Sequence, residues 1–250
     1  MKTNQDGAPL LLRVQLTDDQ ARHVLDQTGQ SVSAILYESA APEVRCSFGG
    51  IPLRVPRGVF VPAPTTEHLL HAAIDAASAF ARPTIVDVGT GSGAVALATA
   101  NALPRASVVA TDVSTLALRA ARANRKRLRL RNVRFVRGSL LAPLPRRLRG
   151  KVAVIVANVP YVPPPLADSV ERIFPEGTAI GSGKDGLDLV RELAATARKF
   201  LIPGGSLVLQ LADFQWAGFG NELMALGYEA PELQHEATGA PVAGRVVWPG

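Results

Sequence analysis

Residues 84–98 read TIVDVGTGSGAVALA. Ile85, Val86 and Val88 form an apolar, β-branched run around Asp87, as expected of a strand buried on both faces of a parallel sheet. Gly89, Gly91 and Gly93 alternate with Thr90 and Ser92 in the turn that follows, and Ala94 to Ala98 continue as a helix packed on the sheet. A buried strand, a glycine turn and a helix N-terminus make a device for holding a nucleotide-derived cofactor. The glycines let the backbone approach a ligand, and the first helical turn offers free N–H groups. Their spacing is G-x-G-x-G, not G-x-G-x-x-G, and the carboxylate of Asp87 stands just before them. A pyrophosphate would meet that carboxylate as a like charge. A ligand with a ribose and a charged amino-acid end suits the turn better, which points to S-adenosylmethionine over a dinucleotide.

A second signal lies one strand further on. Val108-Val109-Ala110-Thr111 is an apolar run that ends in Asp112. An acid at the end of the second strand of such a unit can accept hydrogen bonds from both ribose hydroxyls. Because Asp112-Val113-Ser114 precedes a helical stretch, Asp112 also reads as a helix cap.

The rest of the chain sets bounds. Its 250 residues allow one large domain, or one domain with a small extension, and 47% apolar residues are ample for a core. The net charge of +6 admits acidic partners. A single cysteine, Cys46, excludes an intramolecular disulfide and leaves no cysteine set for zinc, so no metal is expected. No apolar run approaches the length of a membrane span, and residues 1–16 make a poor signal peptide, so the expected location is the cytoplasm.

Taken in order, residues 9–16 have strand-like content and residues 17–27 read as a short helix capped by Thr17, with helical turns over residues 33–40. Residues 47–55 read as a hairpin turning at Gly49-Gly50. We therefore divide the chain into a small N-terminal, substrate-side segment, 1–55, and a main domain, 56–250. A stiff, proline-rich connector, residues 56–64, leads to a helix carrying Leu69, Ala73, Ala77 and Phe80 on one face, with Thr65 or Thr66 as its cap. His68 and His71 on that helix read as boundary side chains. Residues 114–131 read as a helix loaded with Arg119, Arg122, Arg125, Lys126, Arg127, Arg129 and Arg131, and Arg134 and Arg137 flank the next strand. This basic cluster reads either as a solvated outer face or as a phosphate-binding surface, and no aromatics interleave as stacking on bases would want. Val152 to Ala157 is a fully apolar strand ending in Asn158-Val159-Pro160-Tyr161, where ligands of open α/β sheets bind. Residues 185–201 read as a helix stopped by Pro203-Gly204-Gly205, residues 206–211 as a strand, residues 214–226 as a helix ended by Gly227, and residues 242–248 as a last strand, with Trp216, Phe219 and Trp248 in packing roles. The alternation predicts an α/β, doubly wound sheet.

In order and spacing, Gly58-Val59-Phe60-Val61-Pro62, Pro64 with Thr66-Glu67, Asp87 to Gly93, Asn158-Val159-Pro160-Tyr161, Asp185-Gly186-Leu187 and Pro203-Gly204-Gly205 resemble the HemK/PrmC-type protein-glutamine N-methyltransferases, from about Phe48 to Trp248. The likeness extends to an actinobacterial branch in which a residue other than proline stands second in the asparagine motif. The resemblance implies a class I methyltransferase fold with a Rossmann-like seven-stranded sheet. It also implies S-adenosylmethionine held by Phe60, Pro62, Asp87, Gly89, Thr90, Gly91, Gly93, Asp112, Val113, Ser139, Leu140 and Asn158, and chemistry at Asn158, Val159, Pro160 and Tyr161. Ala63, Thr65, Ser139 and Gln210 depart from the family's arginine, glutamate, aspartate and glutamate at those places. The implied reaction is N-methylation of an amide or amine in a protein, peptide or small molecule. The alternative is an amino group of a nucleic-acid base, held through the arginine cluster.

Overall fold

The computed structural model describes residues 42–166, 181–234 and 241–250. The elements expected at 9–16, 17–27 and 33–40 lie outside these residues. The chain opens with a hairpin of β1 (Glu43–Phe48) and β2 (Ile51–Pro56), paired antiparallel from Glu43↔Pro56 to Phe48↔Ile51 around the Gly49-Gly50 turn. Helix α1 (Thr66–Ser78) follows, then β3 (Thr84–Val88), α2 (Ala94–Ala102), β4 (Ser107–Asp112), α3 (Thr115–Leu128) and β5 (Val133–Arg137). After β6 (Val152–Ala157) come α4 (Asp188–Ala197), β7 (Leu201–Ala212), α5 (Asp213–Ala225), β8 (Glu232–Gln234) and β9 (Pro241–Trp248).

Seven strands form one sheet in the order β5-β4-β3-β6-β7-β9-β8. The pairs from β5 to β7 are parallel, and β9 runs antiparallel to both β7 and β8. The order reverses direction between β3 and β6, so a crevice opens beyond the carboxyl ends of those two neighbours. Sequence dictates which strands lie there. Every residue of β6 is buried, and Ile85, Val86, Asp87 and Val88 of β3 are buried, because helices cover both faces of the parallel part.

Helix α2 is apolar all round, buried from Ala94 to Ala100, and its alanines let it lie close to the sheet and to α1. Helix α3 is amphipathic instead. Ser114 caps it by accepting from Ala117 N at 3.2 Å, and Arg129, at φ +56°, ends it by donating to the carbonyls of Arg125 and Lys126. Buried Asn124 ties three segments together: its Oδ1 accepts from Arg54 N, and its Nδ2 donates to the carbonyls of Arg54 and Ser92. Phe48, Ile51, Leu53 and Val55 of the hairpin belong to the same hydrophobic cluster as α1, α2 and one face of the sheet.

Two boundaries differ from the sequence reading. The helix expected over 185–201 is confined to Asp188–Ala197, and β7 begins at Leu201. Pro203-Gly204-Gly205 therefore does not stop a helix. It bulges out of β7, where the register with β6 jumps from Val152↔Leu201 to Val154↔Ser206. A proline without an N–H is tolerated because the bulge takes it out of the ladder. Short β8 went unread: three residues of Glu-Leu-Gln carry no strand signal of their own and are held by pairing Glu232↔Arg245 to Gln234↔Ala243. Trp216 and Phe219 are buried as expected, and the Trp216 indole donates to the Val242 carbonyl at 3.1 Å.

Candidate active site

A cavity of about 470 Å³ lies at the carboxyl ends of β3, β4, β6 and β7. Phe60, Pro62, Asp87, Gly89, Thr90, Gly91, Asp112, Val113, Ser139, Leu140 and the whole Asn158-Val159-Pro160-Tyr161 loop line it. Gly93 does not. It caps α2 in the left-handed region at φ +85°, and a Cβ there would lie 2.9 Å from Leu97 Cδ1, 3.0 Å from Ala121 Cβ and 3.2 Å from Ala121 Cα. Its lack of a side chain lets α2 and α3 approach each other. Gly91, at φ +55°, has nothing within 4 Å of where a Cβ would stand. It is the glycine that leaves room for a ligand.

The turn is fixed from β4. Gly89 N and Thr90 N both donate to the Thr111 carbonyl, at 2.9 and 3.0 Å. Asp112 Oδ2 accepts from Gly91 N and Oδ1 from Ser114 N, each at 2.8 Å. Its carboxylate is thus oriented by two backbone donors, and each oxygen retains lone-pair capacity for a hydroxyl. Of the two readings open for Asp112, the helix cap falls to Ser114. Asp87 is turned inward: its Oδ2 accepts from Thr90 Oγ1 at 2.6 Å and from Ala96 N at 3.1 Å. Burial pushes its carboxyl up to about 6 against the pull of those donors. At the far end of the cavity Leu140 sits at φ +46°, a costly conformation for a leucine, with its carbonyl bonded by Thr111 Oγ1 at 2.9 Å. Such an outlier against a cavity marks a backbone shaped for something other than stability.

The other side of the cavity hangs from β6. Asn158 follows the last residue of the strand, and its Nδ2 lies 3.4 Å from Thr66 Oγ1. A Cβ built on Gly89 would come within 3.0 Å of Val159 Cγ1 and 3.8 Å of the Asn158 carbonyl. The glycine turn and the asparagine loop therefore lie against one another across the switch point, with no room for a side chain at Gly89. Tyr161 is held by a residue that the sequence reading missed. Buried Gln215 donates its Nε2 to the Tyr161 carbonyl at 2.8 Å and to the Asp185 carbonyl at 2.9 Å, while its Oε1 accepts from Ala212 N at 3.0 Å. Glutamine on a helix reads as a surface residue, so no local signal announced it. The same 181–188 turn is pinned to α5 by Arg191, which bonds Asp185 at 2.6 Å and Glu222 at 2.7 Å and holds the Asp185 carboxyl well down, at about 2. Burial raises the Tyr161 hydroxyl above its ordinary range, so it stays protonated.

Thr65, Thr66 and Gln210 also line the cavity. Gln210 Nε2 donates to Thr65 Oγ1 at 3.1 Å, while its buried Oε1 has no partner. Part of the arginine cluster is committed elsewhere. Arg122 and Arg125 donate to the carbonyls of Phe135 and Val133 on β5, the outer strand of the sheet, and Arg137 donates to the Val113 carbonyl. The Arg122 and Arg125 side chains cover an open sheet edge. Among the described residues no group of His, Cys, Asp and Glu could hold a metal, and no helix is long and apolar enough to cross a membrane.

The cavity suits S-adenosylmethionine on observations of its own: the open side of Gly91, the oriented Asp112 carboxylate, and apolar lining residues that include Phe60, Val113 and Leu140. A glycine turn after β3, braced from β4 and opening on a cavity beyond β6, is the plan of the class I S-adenosylmethionine-dependent methyltransferases, and the chain is an enzyme of this class. The family model for ribosomal protein L11 methyltransferase (PrmA) matches residues 63–208. A release factor glutamine methyltransferase from Deinococcus radiodurans is 41% identical over 195 residues, 77% of this chain and 68% of that protein. Another, from Streptomyces coelicolor, is 42% identical over 179 residues, 68% of this chain and 61% of its own length. A ribosomal protein L11 methylase from Lactobacillus delbrueckii subsp. bulgaricus shares the fold at TM-score 0.54 and 22% identity, over 76% of this chain and 80% of that one. So does a Streptococcus mutans chain solved in complex with SAH, at TM-score 0.51 and 16% identity, over 75% of this chain and 99% of that one. This chain belongs to the release factor glutamine methyltransferase (HemK/PrmC-type) family.

Proposed function

We propose that the chain N-methylates a side-chain amide, with a glutamine of a protein as the acceptor. The relatives named for release factors supply the substrate class, and this chain spans 61–68% of the length of the two described above. The observation that supports the reading is that the glycine turn and the Asn158 to Tyr161 loop line one cavity and lie close together at Gly89 and Val159, because a methyl group can pass directly only between neighbouring loops.

S-adenosylmethionine, held by Asp112, the Gly89–Gly91 turn, Phe60, Pro62, Val113, Ser139 and Leu140, supplies a methyl group activated by its sulfonium. The chain's own task is the nitrogen. An amide lone pair is delocalised, so the nitrogen must be gripped and aimed. Asn158 Oδ1 and the Val159 carbonyl accept its two N–H groups, and Pro160 keeps Val159 extended so that its carbonyl holds that direction. Tyr161, anchored through Gln215, packs on the flat amide. Orientation and exclusion of water supply most of the acceleration. We assign residues 1–55 to the substrate side and residues 56–250 to the catalytic domain.

Labelled-methyl transfer, run in parallel on a release factor, a glutamine peptide and RNA, tests the acceptor. Asn158→Ala should abolish turnover and leave cofactor affinity within a few-fold. Full activity in that variant sinks the reading. Arg122, Arg125 and Arg137 already serve backbone carbonyls, which favours protein over nucleic acid.

A further inference from the structure

Thirteen of the chain's 27 lysines and arginines fall within residues 113–151, and none of its 21 aspartates and glutamates does. Solvated surfaces intersperse the two signs, because like charges side by side repel. Here the signs are kept apart. Among the described residues no carboxylate pairs with any of the thirteen. Helix α3 lines up four of them. Arg119, Arg122, Lys126 and Arg129 are exposed and recur at intervals of three and four residues, so they lie along one face. Arg122 and Lys126 stand four apart as like charges, an arrangement that destabilises a helix. The cavity differs: among the described residues that line it there is no cation. Selection of a partner by negative charge therefore falls to the surface outside it. The row of cations begins where the cavity ends. Val113, Ser114 and Ala117 line the cavity, and Arg119 follows two residues on. At about 1.5 Å per residue, Arg119 to Arg129 covers about 15 Å of helix, the reach of about five extended residues.

We propose that this face of α3 docks an acidic stretch of the protein that carries the methyl-accepting glutamine. This rests on the reading given under Proposed function. Two observations favour an acidic protein over a nucleic acid. Arg122, Arg125 and Arg137 donate to main-chain carbonyls, so their guanidinium forks keep their charge but are not free to grip phosphates through paired bonds. The one aromatic residue of 113–151, Phe135, is buried, so no base can stack there. Carboxylates strung along a peptide need only the charge. Each exposed ion pair is weak, but several acting on one segment steer its approach and fix the register in which a glutamine enters the cavity.

The probes are synthetic peptides: a neutral peptide with a central glutamine, and two versions of it carrying about six glutamates on a short Gly-Ser linker, one on the amino side and one on the carboxyl side. Binding is read by fluorescence anisotropy with the full chain saturated with S-adenosylhomocysteine, for wild type, for Arg119→Glu/Lys126→Glu and for Arg146→Glu/Arg147→Glu. The last is a control of equal charge change. Arg146 and Arg147 are exposed on a loop whose Leu144 and Leu148 pack on the other face of the sheet from α3. An exposed ion pair is worth about 1.5- to fivefold, so wild type should bind one of the acidic peptides at least about tenfold more tightly than the neutral one at about 50 mM salt, and within about twofold of it at about 0.5 M. Arg119→Glu/Lys126→Glu should abolish that preference, and the control should keep most of it. Affinity for S-adenosylhomocysteine and for the neutral peptide should hold within about twofold in both variants, which separates a lost docking face from a distorted fold. Equal affinity for neutral and acidic peptides in wild type, or equal losses in the two double variants, overturns the proposal. So does a duplex RNA hairpin that binds more tightly than either acidic peptide and is released by Arg119→Glu/Lys126→Glu, since the face is then a phosphate site. Acidic-peptide binding that needs Arg119 and Lys126, without methyl transfer to a glutamine of any peptide or of a release factor, overturns instead the reading on which it rests.

Discussion

Alanine at Gly91 and alanine at Gly93 should fail in opposite ways, although the two glycines stand two positions apart in the same motif. At Gly93 the new methyl group meets Ala121 Cα at 3.2 Å and Cβ at 3.0 Å, and these atoms belong to a packed helix that cannot yield cheaply. Overpacking of this kind costs about 1–3 kcal/mol, and a non-glycine residue at φ +85° about 1–2 more. For a domain of this size the sum, about 2–5 kcal/mol, lowers the melting temperature by roughly 5–15 °C. At Gly91 the methyl group meets no protein atom within 4 Å, and the backbone penalty at φ +55° is about 1 kcal/mol. Its conflict is with the ligand: about 2 kcal/mol of crowding is roughly thirtyfold in Kd. Circular dichroism melts of the ligand-free variants, with calorimetric titration of S-adenosylhomocysteine at a temperature where both are folded, separate the two effects. Gly93→Ala should melt early and bind within a few-fold of wild type, and Gly91→Ala should melt nearly normally and bind weakly. If Gly93→Ala keeps its melting temperature and loses the ligand, the assignment of Gly93 to helix packing is wrong.

Asp87 makes stability depend on pH. Its carboxyl is raised from 3.8 to about 6 in the folded chain, so the folded state holds a proton that the unfolded state has released. The resulting stability, on the order of 3 kcal/mol, is fully present below pH 3.8 and lost as pH rises through about 6. Urea denaturation from about pH 4 to 7 should therefore show wild type losing ground to Asp87→Asn across that window, and parallel profiles would refute the assignment. Tyr161→Phe should keep kcat within about threefold, since the ring and not the hydroxyl packs on the amide, whereas Tyr161→Ala should lose about thirtyfold in kcat/KM. A Phe variant as impaired as Ala would give the hydroxyl a chemical role. Arg122→Ala should cost about 1 kcal/mol through its lost bond to the Phe135 carbonyl, while Arg134→Glu should stay within about 0.5 kcal/mol of wild type. Salt-sensitive binding of RNA that both substitutions abolish would instead make the cluster a phosphate site.

The sheet was legible from sequence wherever burial on both faces leaves an unbroken apolar run, as in β3, β4 and β6, and the two loops were legible because glycine, asparagine and proline carry backbone and side-chain meaning locally. What escaped depends on long-range contacts. Gln215 lies 54 residues from the carbonyl it holds, and Gln210 lies 145 residues from Thr65, so neither pairing leaves a trace in spacing. The motif gives three glycines one appearance, while the surroundings that distinguish them, an open cavity beside Gly91 or the flank of α3 beside Gly93, come from elsewhere in the chain. The Pro203-Gly204-Gly205 stretch was misread for a related reason: a bulge and a helix stop use the same residues, and only the register with β6 tells them apart.

The two halves of the cavity are mounted on different wings of the sheet. The turn and Asp112 are braced through β4 and α3, and the asparagine loop through Gln215, α5 and the antiparallel side. They lie close together at Gly89 and Val159. On the proposed reading, a substitution on the α5 wing can thus reshape the asparagine loop without disturbing the glycine turn and Asp112. A chain assembled in this way can change clients while its donor chemistry stays fixed.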